Sequence, residues 1–103
     1  MNYQGRIAVS YRDELILGNV TATLTVQEQG PTKSWSVFTF HEFIDQYPLS
    51  IAQRDRGVVE LTFVRDNGEE YSGQAFVSNI GIGAAGVEVY FTGTGRLNGY
   101  KES

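Results

Sequence analysis

The sequence predicts a mainly β domain, an antiparallel β-sandwich or barrel of about seven strands with one short helix. Apolar and polar residues alternate with a period of two over much of the chain, as in strands that bury one face. The composition of 12 Gly, only 2 Pro and 13% aromatic residues favours strands and tight turns over helices. The length of 103 residues suits one domain, spanning positions 1–103.

The first three strands are predicted around residues 6–11, 15–27 and 34–40. A polar turn, Arg12-Asp13-Glu14, joins the first two. The second strand has the cleanest alternation in the chain, with a threonine face opposite an apolar face, and we expect Gly18-Asn19 to form a bulge that bends it. The following segment, EQGPTK at 28–33, is predicted to be a loop because of its Gly-Pro pair.

The only helix is predicted at residues 41–47, HEFIDQY, where three apolar residues can share one face. Pro48 is expected to end this helix, because the residue before a proline avoids helical geometry. Residues 49–52 are then predicted as a short strand. We expect the helix to act as a short plug at one end of a barrel.

The remaining strands are predicted at 59–64, 71–80 and 87–97. Asn67-Gly68 predicts a tight hairpin between the first two, since both residues tolerate a positive φ. A loop rich in Gly and Ala joins the last two. Gly93 and Gly95 lie on the apolar face of the last strand, where a missing Cβ lets a ring or another backbone approach closely.

The motifs that could support catalysis are weak. Residues 81–86, GIGAAG, match the dinucleotide-binding pattern, but strand-like residues follow where a helix is required, so a hairpin loop is predicted. His41, beside Glu42 and near Asp45, is the only histidine, and we interpret it as structural rather than metal-binding. No serine lies in a nucleophile elbow. The sequence therefore predicts no enzyme, no cofactor and no metal.

Charge and cysteine content limit the possible partners. A net charge of −4 argues against a surface that grips phosphate, and the absence of Cys excludes disulfides and thiolate metal sites. No apolar run reaches the length of a signal peptide or a membrane span, which predicts a cytoplasmic product without a membrane anchor. Glu60 and Glu88 stand among apolar strand residues, where alternation favours an outward, solvated position over a buried carboxylate pair.

The C-terminal part resembles the last strands of bacteriophage tail-tube proteins. The residues that carry the resemblance are YSGQAFVS at 71–78 and FTGTGRL at 91–97. The order of elements upstream (hairpin, loop, strand, short helix, hairpin) is similar too. The resemblance implies a virion protein, made in the host cytoplasm, that forms hexameric rings with its own copies. The rings would stack into a tube, contact other tail proteins, and conduct DNA through an acidic lumen without binding it specifically.

The resemblance also implies two sets of site residues. The ring-stacking loop would correspond to Gln29, Gly30, Pro31, Thr32 and Lys33, although these residues could equally form an ordinary surface connection. The candidates for an acidic lumen are Glu60 and Glu88. Two alternatives stay open: a tail adaptor or baseplate component of the same fold, and a monomeric barrel that binds a small ligand in its interior.

Overall fold

Antiparallel strands close into a barrel, and one short helix packs against it. The structure is a computed structural model and describes residues 1–29 and 32–100. In chain order its elements are β1 (Asn2–Tyr11), β2 (Glu14–Gln29), β3 (Thr32–His41), α1 (Gln46–Arg54), β4 (Val59–Arg65), β5 (Glu70–Gly83) and β6 (Gly86–Gly93). The order around the barrel is β1-β2-β3-β6-β5-β4, and β4 pairs with β1 to close it. The predicted mainly β class with one short helix is confirmed, with six strands in the described part of the chain.

Two tight turns set the register of the hairpins. Arg12 and Asp13 both have a positive φ, 52° and 64°, as required at the centre of the turn type that matches strand twist. The Asn67-Gly68 hairpin is also confirmed, but only Gly68 has a positive φ, of 92°. The carbonyl of Arg65 accepts a hydrogen bond from the Gly68 N–H at 2.9 Å, which gives a type I turn followed by a glycine bulge.

The bulge predicted at Gly18-Asn19 is present in β2. Ile7 of β1 pairs with Val20, whereas Val9 pairs with Leu17, so β2 carries one extra residue between these pairs. Asn19 takes a φ of 53°, a conformation that asparagine adopts more readily than most residues. The extra residue bends β2 and lets this long strand follow the curve of the barrel.

The helix prediction at 41–47 was wrong in its position. Helix α1 begins at Gln46, and the side chain of Asp45 caps it by accepting a hydrogen bond from the Tyr47 N–H at 3.1 Å. Pro48 lies inside the first turn instead of ending the helix. A proline is tolerated there because the first N–H groups of a helix have no partner within the helix.

The strand predicted at 49–52 was wrong for the same reason, since these residues form the middle of α1. The short apolar run suits a strand by composition, but it forms the buried face of the helix. Leu49 and Ala52 are fully buried and belong to the hydrophobic core. Helix α1 follows β3, precedes β4 and packs on β5, and so covers the end of the barrel where β3 ends.

The interior of the barrel is filled by matching large side chains to small ones. The indole of Trp35 lies over Gly73 and Gly93, and a Cβ at Gly73 would come 2.7 Å from the ring. Phe63 similarly fills the space beside Gly5. The fully buried side chains include Ile7, Val9, Leu24, Val37, Leu61, Phe63, Val89 and Phe91. Six strands enclose a narrower space than eight, so side chains suffice to fill it.

The last strand is shorter than predicted. Strand β6 ends at Gly93, not at residue 97, while β5 extends to Gly83 and only Ala84 and Ala85 form the turn between them. The C-terminal segment (94–100) then runs beside β5, where Asn98 pairs with Ser72. The close packing expected at the strand glycines is confirmed at Gly93, and the ring that needs it is Trp35 of the same chain.

We predict that Gly93→Ala destabilises the fold, because the new methyl group would overlap the Trp35 indole. The expected loss is about 1–3 kcal/mol of unfolding free energy, as for other overpacked cores. Gly83→Ala is the matched control. Gly83 lies in β5, the strand beside β6, and a Cβ there would have no atom beyond its chain neighbours within 4 Å. Thermal or denaturant unfolding measures both, and equal stability of the two variants would contradict the packing described.

Candidate functional site

A two-stranded ribbon projects from one end of the barrel. Residues 27–29 of β2 pair with residues 32–34 of β3. On one side, the last backbone hydrogen bond to β2 joins Val26 to Met1, just before β1. On the other side, the last residue of β3 that pairs with β6 is Ser36. Within the described residues, both outer edges of the ribbon therefore lack a strand partner, and such edges are templates for pairing with another chain.

Of the predicted ring-stacking residues, Gln29, Thr32 and Lys33 belong to this ribbon. The loop predicted at 28–33 was too long, because the ladder between β2 and β3 continues through Glu28 with Lys33 to Gln29 with Thr32. Cross-strand pairing thus overrides the loop-like composition of this segment. Gly30 and Pro31 lie outside the described residues.

The two acidic candidates are not brought together. Glu60 is exposed on the outer face of β4 and pairs with Gln74 of β5. Glu88 is half-buried on the outer face of β6 and pairs with Gly81 of β5 and Phe40 of β3. Because Gln74 and Gly81 are separated along one strand by roughly 23 Å, the carboxylates occupy different parts of the surface.

Four aromatic rings lie on the outer face of β3, β6 and β5, and we call Phe38, Phe40, Phe76 and Tyr90 the aromatic face. The rings of Phe38 and Tyr90 are 4.8 Å apart. Phe40, Phe76 and Tyr90 are exposed by 46%, 40% and 39%. The sequence signal was present, since Phe38 and Phe40 are out of phase with the buried Trp35 and Val37. Phase alone does not show that these residues share an outer face with Phe76 and Tyr90 from two other strands. Clustered apolar surface of this kind marks interaction sites.

A shallow groove of about 400 Å³ lies on the other side of the barrel, between β1 and β4. We call it the β1–β4 groove. Its lining is largely apolar, and Val64 in it is 41% exposed. Arg6 supplies an exposed guanidinium whose Nη1 donates to the backbone carbonyl of Asn19 at 3.2 Å. The sequence did not indicate this groove, because its residues come from three different strands.

A tyrosine cluster holds the C-terminal segment at the ribbon end of the barrel. The buried Tyr71 hydroxyl donates to Oε2 of Glu69 at 2.7 Å and accepts from Nη1 of Arg65 at 3.2 Å. Tyr100 stacks on Tyr71 and shares a 2.9 Å hydrogen bond with the Tyr3 hydroxyl. These contacts fix the end of the described chain over the barrel opening.

The pKa values of Tyr71 and Arg65 are both raised in this cluster. Burial is the main reason that the pKa of Tyr71 is raised above its ordinary value. The pKa of Arg65 is also raised, mainly by its hydrogen bond to Tyr71, and its guanidinium lies 4.5 Å from the centre of the Tyr3 ring. A phenol with a raised pKa stays protonated near neutral pH, so the Tyr71 hydroxyl keeps the proton that it donates to Glu69.

The other sequence candidates have ordinary surroundings. His41 is exposed at the end of β3, before α1, and its Nδ1 accepts a hydrogen bond from the Phe43 N–H at 3.0 Å. Among the described residues, no group of three or more His, Asp or Glu side chains could hold a metal ion. Residues 81–86 form the β5–β6 hairpin, without the following helix that dinucleotide binding requires. None of the described helices is long and apolar enough to cross a membrane.

Comparison with known proteins gives no relative from which a function could be transferred. The chain matches no protein-family model, no curated protein and no solved structure. The function has to be inferred from the surfaces described above.

We predict that Tyr71 makes the protein less stable at alkaline pH. Its pKa is raised in the fold, so the unfolded chain releases this proton first, and the unfolding free energy falls as pH rises above about 10. Tyr71→Phe should show a smaller decline over the same pH range, while Tyr47→Phe, at an exposed position, should decline like the parent protein. Chemical denaturation between pH 8 and pH 11 tests this, and identical declines for all three proteins would show that Tyr71 contributes nothing.

Proposed function

We propose that this protein is a structural subunit of a phage tail or a related injection tube, whose rings stack and conduct DNA. The observation that carries the proposal is the projecting ribbon, residues 27–29 with 32–34. Its backbone edges have no strand partner among the described residues, and it corresponds to the segment where the tail-tube resemblance implies contact between rings. Unpaired strand edges invite pairing with a neighbouring copy.

The dimensions of the barrel are compatible with such a ring. Its principal extents are 38 × 27 × 24 Å. When the long axis runs along the tube, six copies spaced by the barrel width form a hexagon. In a ring of six the centre-to-centre spacing equals the ring radius, and subtracting half a barrel on each side leaves a central channel of roughly 25 Å. A channel of that width admits duplex DNA.

Charge supports the same proposal. The net charge of −4 disfavours binding to phosphate, which a conduit for DNA must avoid. Glu60 is exposed on a polar part of the β4–β5 surface together with Ser72, Gln74 and Asn98, and the exposed Arg96 lies on the same surface. We assign Glu60 to the lumen. Glu88, which lies beside the aromatic face, suits a protein contact better.

The order of elements gives further support. A hairpin, a third strand, a short helix and a final set of hairpins follow one another in the fold, as in the tail-tube proteins that the sequence resembles. The same order fits a tail adaptor or baseplate component, which would use the ribbon to contact a different neighbour. An interior ligand site has less support, because Trp35, Phe63 and Phe91 fill the barrel.

We predict that deleting residues 29–33 abolishes stacking and leaves the barrel folded. The deletion leaves a three-residue loop between the paired Val26 and Trp35, a common hairpin length. Negative-stain microscopy should then show rings or monomers instead of tubes, with an unchanged far-ultraviolet circular dichroism spectrum. Asn67→Asp, in another turn at the same end, is the control and should still form tubes. Tubes formed by the deletion variant would contradict the role given to the ribbon.

We predict that Glu60→Lys preserves assembly but makes the tube bind DNA. A ring of added ammonium groups in the lumen would attract phosphate, with an affinity that falls as salt rises. Co-sedimentation of assembled protein with duplex DNA measures this, and Glu14→Lys, at an exposed position where β2 begins, serves as the control. Equal DNA binding by the two variants would place Glu60 outside the lumen.

A further inference from the structure

The aromatic face and the β1–β4 groove lie on nearly opposite walls of the barrel. The aromatic face is centred on β6, which stands three strands from β1 in either direction around the barrel. One surface presents projecting rings, and the other is a shallow, largely apolar groove. Given the ring assembly proposed above, we infer that the aromatic face of one copy binds the β1–β4 groove of the next, in a head-to-tail contact.

Charge complementarity identifies the partner as a second copy of this chain. Glu88 lies beside Phe40 in the aromatic face, and Arg6 lies in the groove. Neither side chain forms an ion pair in the described part of the chain. The groove also contains Asp66 and Arg65, but Arg65 already lies 3.6 Å from the Glu69 carboxylate, so Arg6 is the cation that the groove can offer to a partner. Docking the two surfaces would pair Glu88 with Arg6 in a setting partly shielded from water.

The Glu88 side chain lies over Gly81 of β5. A Cβ at Gly81 would lie 2.8 Å from the Glu88 carboxylate, so the missing side chain lets Glu88 lie flat over β5. The carboxylate therefore lies against β5, on the same outer wall as the aromatic face. A partner that covers the rings must also cover this charge, which requires a cation opposite it.

The same charges argue against a symmetric dimer. A two-fold contact between aromatic faces would place two Glu88 carboxylates together, and one between grooves would bring two Arg6 guanidinium groups together. Like charges in contact disfavour both arrangements. The head-to-tail contact pairs opposite charges at every interface and can repeat around a ring.

The positions of the aromatic face and the β1–β4 groove decide the direction in which a row of joined copies curves. Because the groove includes β4 as well as β1, the shorter path from the groove to the aromatic face passes over β4 and β5. Copies joined head to tail therefore curve toward that side, and the β4–β5 wall with Glu60 faces the centre. The charge argument above assigned the same β4–β5 wall to the lumen.

Charge reversal tests the contact. We predict that Arg6→Glu and Glu88→Arg each weaken self-association at least tenfold, the scale of a close charge pair at an interface. The double variant should return to within about threefold of the parent. Arg54→Glu and Glu14→Arg are control reversals at exposed positions outside both surfaces, and should associate like the parent. Sedimentation velocity over a range of concentrations measures the parent and all five variants.

Mixing the two single variants gives a readout that misfolding cannot mimic. In a 1:1 mixture every altered groove can meet an altered aromatic face, and every unaltered groove an unaltered face. Assembly should therefore return at concentrations where each variant alone stays dissociated. If the parent assembles and the single reversals have no effect, the contact between the aromatic face and the β1–β4 groove is refuted, whereas the proposal of a tube stands. If the parent stays monomeric at all concentrations, both fail.

Discussion

The rest of the structure depends on the filling of a narrow barrel around one large side chain. Trp35 fits because Gly73 and Gly93 leave room for its indole, whose Nε1 donates to the carbonyl of Gly95 at 2.8 Å. This hydrogen bond fixes the point at which the chain leaves β6, and the C-terminal segment then closes the ribbon end of the barrel. Helix α1 closes the other end, and side chains from both covering segments join the core.

Because Trp35, Phe63 and Phe91 fill the interior, the candidate contact features lie on the outer surface. In the described part of the chain they include the ribbon, the aromatic face and the β1–β4 groove. The threonine face of β2 is different, because Thr23 and Thr25 hydrogen-bond to Gln4 and Asn2 of the same chain. Packing of this face against a neighbour is therefore not needed to satisfy it. In the proposed assembly the groove and the aromatic face would join copies laterally, and the ribbon would join rings axially.

Local signals in the sequence were sufficient where a few adjacent residues decide the structure. The alternation in β2, the Arg12-Asp13 turn and the Asn67-Gly68 hairpin are all present. The helix was misplaced because its Asp45 cap and the buried Leu49 count for more than the presence of Pro48, which the first turn accepts. The sites were harder to predict, since the aromatic face and the groove each combine residues from three strands. Their meeting depends on the strand order around the barrel, which no local pattern encodes.

The most direct test of this account is negative-stain electron microscopy of the purified protein at increasing concentration. The account predicts rings of the 11.4 kDa chain with an open centre, and tubes of stacked rings as concentration rises. Sedimentation of the same samples should show the monomer disappearing over that range. Uniform monomers without rings at every concentration would contradict it.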